Sequence, residues 1–486
     1  MPPDARAGSS VNIPVDSWIY QDLERLEVKG VIESGILTTR PFTRQEGARL
    51  AEEAVRNLKR DGSTGPGAAA EPIAFRLKAA LGDSAGSGPD TYFKPIERAY
   101  AGFLYADERP YFPSINNDGH EFREGGNAWA GISASAGLLG FTAIELNPEY
   151  RAGSSSEVKL VRGYAKADFG PIELLAGKEA MWWGPGYHGS LLLTNNAEPL
   201  EMVKASTGRP VLLPWIFRNL GPFRPALFIA RLEEDRDFPR ANLLGMRLDF
   251  RPRPSFRFAL SRVIMFGGEG RRSLTASDWV KVFFASDSAE HTSSPIDGNQ
   301  LISLDASYIH VDRDGRLPWS GLKLYTEIGA EDSSGNRTPT VRGYIFGLYV
   351  DEPLGVKDID FRAEYAYNAH GDRFPFAQWY RHHVYDSGYT YKGRVIGHHM
   401  GPDAADLFLR AQYHFPGGAV IGAEADWERS LIHESGETKR NWLAADTSVI
   451  LGEGLRVRGS AGIEKTDGPS GSYTNPIAAI EIERYF

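Results

Sequence analysis

Two stretches of the chain gather residues able to recognise a polyhydroxylated ligand. The first runs from Gly177 to Pro199 and places Trp182, Trp183, Tyr187, His188, Asn195, Asn196 and Glu198 around the turn Gly184-Pro185-Gly186. Aromatic rings stack on the apolar C–H faces of sugars, while Asn, Glu and His side chains hydrogen-bond hydroxyls; apolar walls with a few placed polar groups are what a ligand site needs. The same residues also have a structural reading, in which the two Trp anchor at a membrane interface and Asn195-Asn196 form a turn. The second stretch, Phe374 to Asp403, holds Tyr380, Arg381, Tyr391, Arg394, His398 and His399, and four of the eleven His of the chain. It is too polar for a lipid face and is expected as a long loop or a lumen-lining excursion. Guanidinium groups beside aromatic faces suit an acidic polysaccharide. The pairs His382-His383 and His398-His399 have metal-ligand chemistry, but neighbours on an extended chain point to opposite sides. No metal centre and no cofactor are therefore expected. His188, Ser190 and Asp403 are the ingredients of a hydrolase; a Ser and a His two residues apart share a face of an extended segment, yet nothing supplies an oxyanion hole or orients the imidazole.

The elements that must carry these stretches change character along the chain. The N-terminal part reads as helical. Asp16 or Ser17 caps a short helix that places Trp18, Leu23 and Leu26 on one side and stops near Gly30. Thr43 and Glu46 have capping-box spacing before the stripe Leu50, Ala51, Ala54, Val55 and Leu58. A third helix is expected from Ile73 to Leu81, between breaks at 61–67 and 82–90. Residues 11–90 are thus expected as a small helical bundle. From about residue 94 to 486 the period is two: Leu244, Met246, Leu248 and Phe250 alternate with Arg247, Asp249 and Arg251, and comparable sets occupy 359–367, 406–415, 421–428 and 455–464. Each set gives one apolar and one polar sheet face.

Composition narrows the classes further. Acidic residues outnumber basic ones 63 to 54, for a net charge of −9, which argues against a nucleic-acid binder. The absence of cysteine excludes disulfide scaffolds and thiolate metal sites. A mean hydropathy of −0.35, without any run of about 20 apolar residues, excludes a helical membrane protein but not a barrel. Many segments reach about ten residues, the tilted span of a bilayer, and their densely charged polar face suits the lumen of a large barrel. A soluble β-sandwich or propeller is the alternative. Aromatics at Tyr100, Phe103, Tyr105, Tyr111 and Phe112 are expected in an interfacial girdle, and the last strand ends on Phe486. At about 22 residues per strand and connection, the 391 residues from Ile96 to Phe486 make roughly 18 strands. The expected fold is all-β: a large antiparallel transmembrane β-barrel with a small N-terminal helical bundle on its periplasmic side. Met1-Pro2-Pro3-Asp4 has neither the basic nor the apolar region of a secretory signal, leaving a cytosolic protein or one whose signal was removed; the barrel pattern favours the second.

On these residues the chain resembles a known family. The segment from Trp182-Trp183-Gly184-Pro185-Gly186 to Asn195-Asn196-Ala197-Glu198-Pro199 is similar to the signature of capsule-assembly outer-membrane proteins of the Wzi type. Tyr389-Thr390-Tyr391-Lys392-Gly393-Arg394-Val395-Ile396-Gly397-His398-His399 resembles that family's second signature, and a helical head before an approximately 18-stranded barrel is similar in layout. The resemblance implies an outer-membrane lectin of a Gram-negative bacterium: a barrel whose long extracellular loops bind exported capsular or surface polysaccharide and help attach it to the cell, without catalysis. Outer-membrane lipid is then a second partner. The turn Thr39-Arg40-Pro41-Phe42-Thr43-Arg44 resembles surface-layer-type anchoring repeats, which leaves a peptidoglycan contact for the head open. The competing functions are a general diffusion porin, which needs only a polar lumen and a constriction, and an outer-membrane hydrolase.

Overall fold

The computed structural model describes residues 9–61, 70–82, 91–153, 155–284, 298–331, 341–369, 379–452 and 454–486. The breaks expected after the second and third helices, and residues 374–378 of the second polar stretch, lie outside the described residues.

Eighteen antiparallel strands, from Tyr92–Ala106 to Gly471–Tyr485, form a closed barrel. The first and last strands pair with each other from Arg98↔Tyr485 to Ala106↔Ile477. Closure removes the free strand edges that an open sheet would expose. Strands Asn242–Arg253, Ile359–Tyr367, Ala405–His414, Val420–Ser430 and Leu455–Gly468 carry the alternation read from the sequence. Here the polar face is the buried one. Asp360, Arg362 and Glu364 point into the barrel, whereas Leu248, Leu260, Leu304, Ile328, Leu443 and Ile480 stand exposed on its outside. Buried charges persist only when paired, and the lumen supplies the partners: Arg247 reaches Asp249 at 3.2 Å and Asp305 at 2.7 Å.

The turns at one end of the barrel are short for the most part, as at 139–141, 170–171, 254–255 and 415–419, while the other end bears the long connections 107–124, 180–199, 267–298 and 368–404. The head enters at the short-turn end. Its helices are α1 (Trp18–Val28), α2 (Arg44–Asp61) and α3 (Glu71–Leu81). Ser17 caps α1 by accepting from the Ile19 N–H. Thr43 Oγ1 accepts from the Glu46 N–H at 3.0 Å, but the reciprocal half of the expected capping box does not form. Glu46 instead takes the Arg49 guanidinium at 2.6 and 2.7 Å, because a bidentate charge-assisted pair outcompetes a neutral backbone donor. Leu50, Ala51 and Ala54 pack with Leu23, Leu26, Ile73 and Leu77 in the core of the head.

The polar side of α1 docks into the lumen through ions. Arg25 and Lys29 meet Asp351 at 3.2 and 2.5 Å. Glu27 receives Arg251 and Arg257 at 2.7 and 3.0 Å. Glu24 pairs with Arg362 at 2.7 Å and with Lys323. Burial alone would raise the Glu24 carboxyl; the charges of Arg362 and Lys323 outweigh it and hold the group well below the usual carboxylate range. The turn Thr39–Arg44 lies inside the protein, where Thr39 and Arg40 pair in antiparallel register with Trp183 and Trp182 and Arg224 donates to the Thr39 and Pro41 carbonyls.

The expected aromatic girdle needs correction. Phe103 and Tyr105 do face outward. Tyr100, however, points into the lumen and donates to Glu149 at 2.7 Å, one face of the pleat being the wet wall. Tyr111 and Phe112 belong to an inward connection, with Tyr111 donating to Glu428 at 2.7 Å and Phe112 stacked on Trp442 at 5.8 Å.

Candidate functional site

The first polar stretch and the described part of the second, residues 379–403, fold into the lumen from the long-loop end and bind each other. Thr194 donates from its backbone N–H to the Ile396 carbonyl at 2.9 Å and from its hydroxyl to Gly397 at 2.7 Å. The hydroxyls of Tyr380 and Tyr389 donate to the Leu191 and Leu192 carbonyls at 2.5 and 2.8 Å. Arg394 donates to the Asn196 carbonyl at 2.7 Å, to Asn196 Oδ1 at 2.8 Å and to the Ser114 carbonyl at 2.6 Å, which ties in a third connection, 107–124. Two glycines make this approach feasible: a Cβ on Gly189 would lie 2.1 Å from His398 Cδ2, and one on Gly397 would lie 2.2 Å from the Leu191 carbonyl oxygen. At the inner end the Gly184 N–H donates to the Thr38 carbonyl at 2.9 Å. The head and the inward loops therefore meet inside the barrel, and a cavity of about 440 Å³ remains between them and the wall, bordered by Trp18, Arg25, Asn116, Arg410, Asp446 and Arg456.

Within this unit the expected site residues separate by exposure. Trp183 is 1 % exposed and packs edge-on against Phe228 at 5.3 Å. Trp182, Asn195, Asn196, Tyr380, Tyr391, His398 and His399 are buried as well. Tyr187 and His188 are half-buried and border a cavity of about 360 Å³ shared with Trp182, Asn195 and Phe408. The Arg362 guanidinium lies over the Tyr187 ring at 4.2 Å, and His188 stacks on Phe408 at 4.1 Å. Glu198 is half-buried among Lys159, Lys178 and Lys392 at 2.8, 3.2 and 2.8 Å. Burial would raise its carboxyl, but hydrogen bonds from Lys159 and Lys392, then the Lys178 charge, bring it down to about 2. Arg394 is half-buried; Arg381 is exposed, stands apart from the packed unit and meets Glu434 at 2.7 Å. Lys392 is exposed too, and the sequence showed it in the middle of the second motif without marking it as charged bait for an acid. Trp183→Ala should cost about 3–5 kcal/mol of stability through a large core cavity, measured as a lower urea midpoint for the heat-modifiable gel shift.

The residues that hold the loops come from the barrel wall and were invisible as partners in the sequence. Glu364 accepts the backbone N–H groups of Tyr187, His188 and Gly189 at 2.7, 3.1 and 2.9 Å, and the Tyr325 hydroxyl at 2.7 Å. Glu327 accepts from the Leu191 N–H at 3.0 Å and the Ser190 hydroxyl at 3.1 Å, and Glu331 from the Tyr380 N–H at 2.5 Å. Buried backbone donors need such acceptors. The three hydrolase ingredients do not assemble. Ser190 spends its hydroxyl on the Trp183 carbonyl and Glu327, Asp403 pairs with His433 at 2.8 Å, and His188 faces Asp426 at 2.6 Å.

The expectation that His398 and His399 point oppositely fails because this segment is not an extended strand. Their rings lie 4.5 Å apart with 33° between planes, and both approach Asp406, His399 Nε2 at 3.3 Å and His398 Nε2 at 3.9 Å. Burial, then the neighbouring His188, holds His398 well below its ordinary value; burial followed by His398 and His188 does the same for His399. His188, His399, Asp406 and Asp426 bring four donor atoms within 4.8 Å of one another, a grouping that the spacing of the His pairs does not foreshadow.

The fold and the site define a closed 18-stranded barrel with a helical head and a charged lumen that the inward loops enter. The chain belongs to the family described as Capsule assembly protein Wzi, whose model matches residues 111–470. The solved structure of Wzi from Escherichia coli, an outer membrane protein involved in group 1 capsule assembly and described as a carbohydrate-binding β-barrel, covers 99% of this chain and 100% of its own with a TM-score of 0.74; at 18% identity the likeness concerns the fold. An uncharacterized 55.8 kDa protein in the cps region of Klebsiella pneumoniae is 27% identical over 350 residues, 70% of this chain. The match spans 62% of that relative's length. OccD3 (OpdP) of Pseudomonas aeruginosa aligns with a TM-score of 0.48 at 9% identity, over 82% of this chain and 91% of its own.

Proposed function

We propose that this protein is a non-catalytic, lectin-like barrel of the Gram-negative outer membrane that binds exported capsular or surface polysaccharide at its long-loop end and helps attach it to the cell. The observation that carries this reading is the mutual hydrogen bonding of the two family motifs into one packed unit inside the lumen. A diffusion porin needs an open water path, and a barrel obstructed from both ends by the head and the inward loops favours a surface function instead. In this reading the buried members of the motifs, Trp182, Trp183, Asn195, Asn196, Tyr380, Tyr391, His398 and His399, set the shape of the platform. Tyr187, His188, Glu198, Arg381 and Arg394, with Lys392, offer rings, hydrogen-bonding groups and positive charge to the glycan. The apolar outside of the strands meets lipid, and the short-turn end with its head faces the periplasm. A peptidoglycan contact would use the outer side of α2 and α3, where Arg56, Lys59 and Lys78 are exposed, rather than the buried turn Thr39–Arg44.

Arg381→Ala and Lys392→Ala remove exposed cations without opening the core. Each should weaken retention of an acidic capsular polysaccharide by purified protein about tenfold, or ~1.4 kcal/mol, with heat-modifiable folding intact. Wild-type retention in both variants would remove these cations from the site.

A further inference from the structure

We infer that His188, His399, Asp406 and Asp426 bind a divalent transition metal of the zinc class, which fastens both family motifs to the barrel wall. The residues come from four separate places: His188 from the first inward loop, His399 from the second, Asp406 and Asp426 from the adjacent strands Ala405–His414 and Val420–Ser430. Their side chains are removed from water, with exposures of 12 % for His188, 0 % for His399, 2 % for Asp406 and 0 % for Asp426. Most of their polar atoms nonetheless lack a hydrogen-bond partner. His188 Nε2, both ring nitrogens of His399, both oxygens of Asp426 and Oδ1 of Asp406 are buried without one; the 2.6 Å approach of His188 Nε2 to Asp426 Oδ2 lacks hydrogen-bond direction. Groups of this kind, left unsatisfied, cost free energy that a native site does not carry without compensation.

Charge points to the same occupant. Among the described residues, Asp406 and Asp426 have no Lys or Arg within ion-pair distance; the groups that reach them as potential cations are imidazoles. Asp406 also stands directly opposite Glu428 in the strand register, a like-charge arrangement that destabilises a sheet. Arg440 compensates Glu428 at 2.9 Å, which leaves the two aspartates to be neutralised by something else. A dication supplies that charge, and two imidazoles with two carboxylates are a donor set suited to zinc. Ligands about 2.0–2.1 Å from a tetrahedral zinc lie about 3.4 Å from one another. The separations here, 2.6 Å for His188–Asp426, 3.6 Å for His188–Asp406 and 3.3 Å for His399–Asp406, bracket that edge. His188 borders the 360 Å³ cavity, which gives the ion a way in.

The test uses the full, untagged protein folded in detergent, stripped with EDTA, exposed to Zn2+ and desalted. Metal analysis should find about one zinc per chain, and His188→Ala and Asp426→Asn should each weaken binding at least roughly a hundredfold while keeping the heat-modifiable band. Cobalt loading of the wild-type protein provides a readout that needs no variant: the intense visible bands of four-coordinate Co2+ support the site. Zinc content in the wild type no higher than in His188→Ala, or the weak spectrum of the aqueous ion after cobalt loading, overturns it and leaves a proton-sharing carboxylate pair as the account of the cluster.

Discussion

Wild-type protein in planar bilayers should show no steady ion conductance, and a variant lacking residues 11–90, with the inward segments 107–124, 184–199 and 379–402 each replaced by a short Gly-Ser link, should conduct on the scale of an open porin. A barrel of about 18 strands is wide enough for an aqueous channel when nothing fills it. Two bodies fill this one. The head is held by Glu24, Arg25, Glu27 and Lys29 against Arg362, Lys323, Asp351, Arg251 and Arg257, and the inward loops are held by Glu364, Glu327 and Glu331. Deleting the head alone should therefore raise conductance only in part, because the loops still close the lumen from the other end. Porin-like conductance in the wild type would show that the plug moves or leaves under working conditions.

Glu364→Ala should release the first motif from the wall while the barrel stays closed. One carboxylate satisfies three consecutive backbone N–H groups and a buried phenol; its loss leaves four donors without that acceptor inside the barrel, which should cost about 3–5 kcal/mol locally. Glu364→Gln should rescue little, since the amide offers one acceptor oxygen and turns an NH2 towards donors. The measurement is limited proteolysis of the 184–199 segment, expected to accelerate by about two orders of magnitude or more at that cost, with heat-modifiability unchanged. Equal cleavage in variant and wild type would mean that Arg394 and the tyrosine hydroxyls suffice to hold the loop.

Much of this architecture was legible in the residues. The alternation of Leu407, Leu409 and Ala411 with Asp406, Phe408 and Arg410 gave a strand, and its repetition to Phe486 gave a barrel, because a period of two survives any context in which the two faces differ. The helix starts at Ser17 and Thr43 were legible through their caps. What fills the lumen was not. Periodicity distinguishes a polar face from an apolar one but does not say which is dry, so Arg247 and Asp249, which read as residues facing a watery lumen, are fully buried against head and wall. The partners of the motifs lie far off in sequence: Glu364 is 175 residues from Gly189, and nothing local to either predicts the meeting. Trp182 and Trp183 were recognised as special, yet their type is the same whether they stack on a sugar or on Phe228. The aspartates of the histidine cluster appeared only as ordinary members of polar strand faces until register placed them together.

The central claim, that the long-loop end of a plugged barrel holds polysaccharide, is tested most directly by binding of the purified, folded wild-type protein to an array of isolated capsular polysaccharides. Saturable binding to one or more acidic polysaccharides is the predicted result, weakening as salt screens Arg381, Lys392 and Arg394 and lost in an Arg381→Ala/Lys392→Ala double variant that still folds. Absence of binding to every polysaccharide by protein whose barrel is demonstrably folded would contradict it.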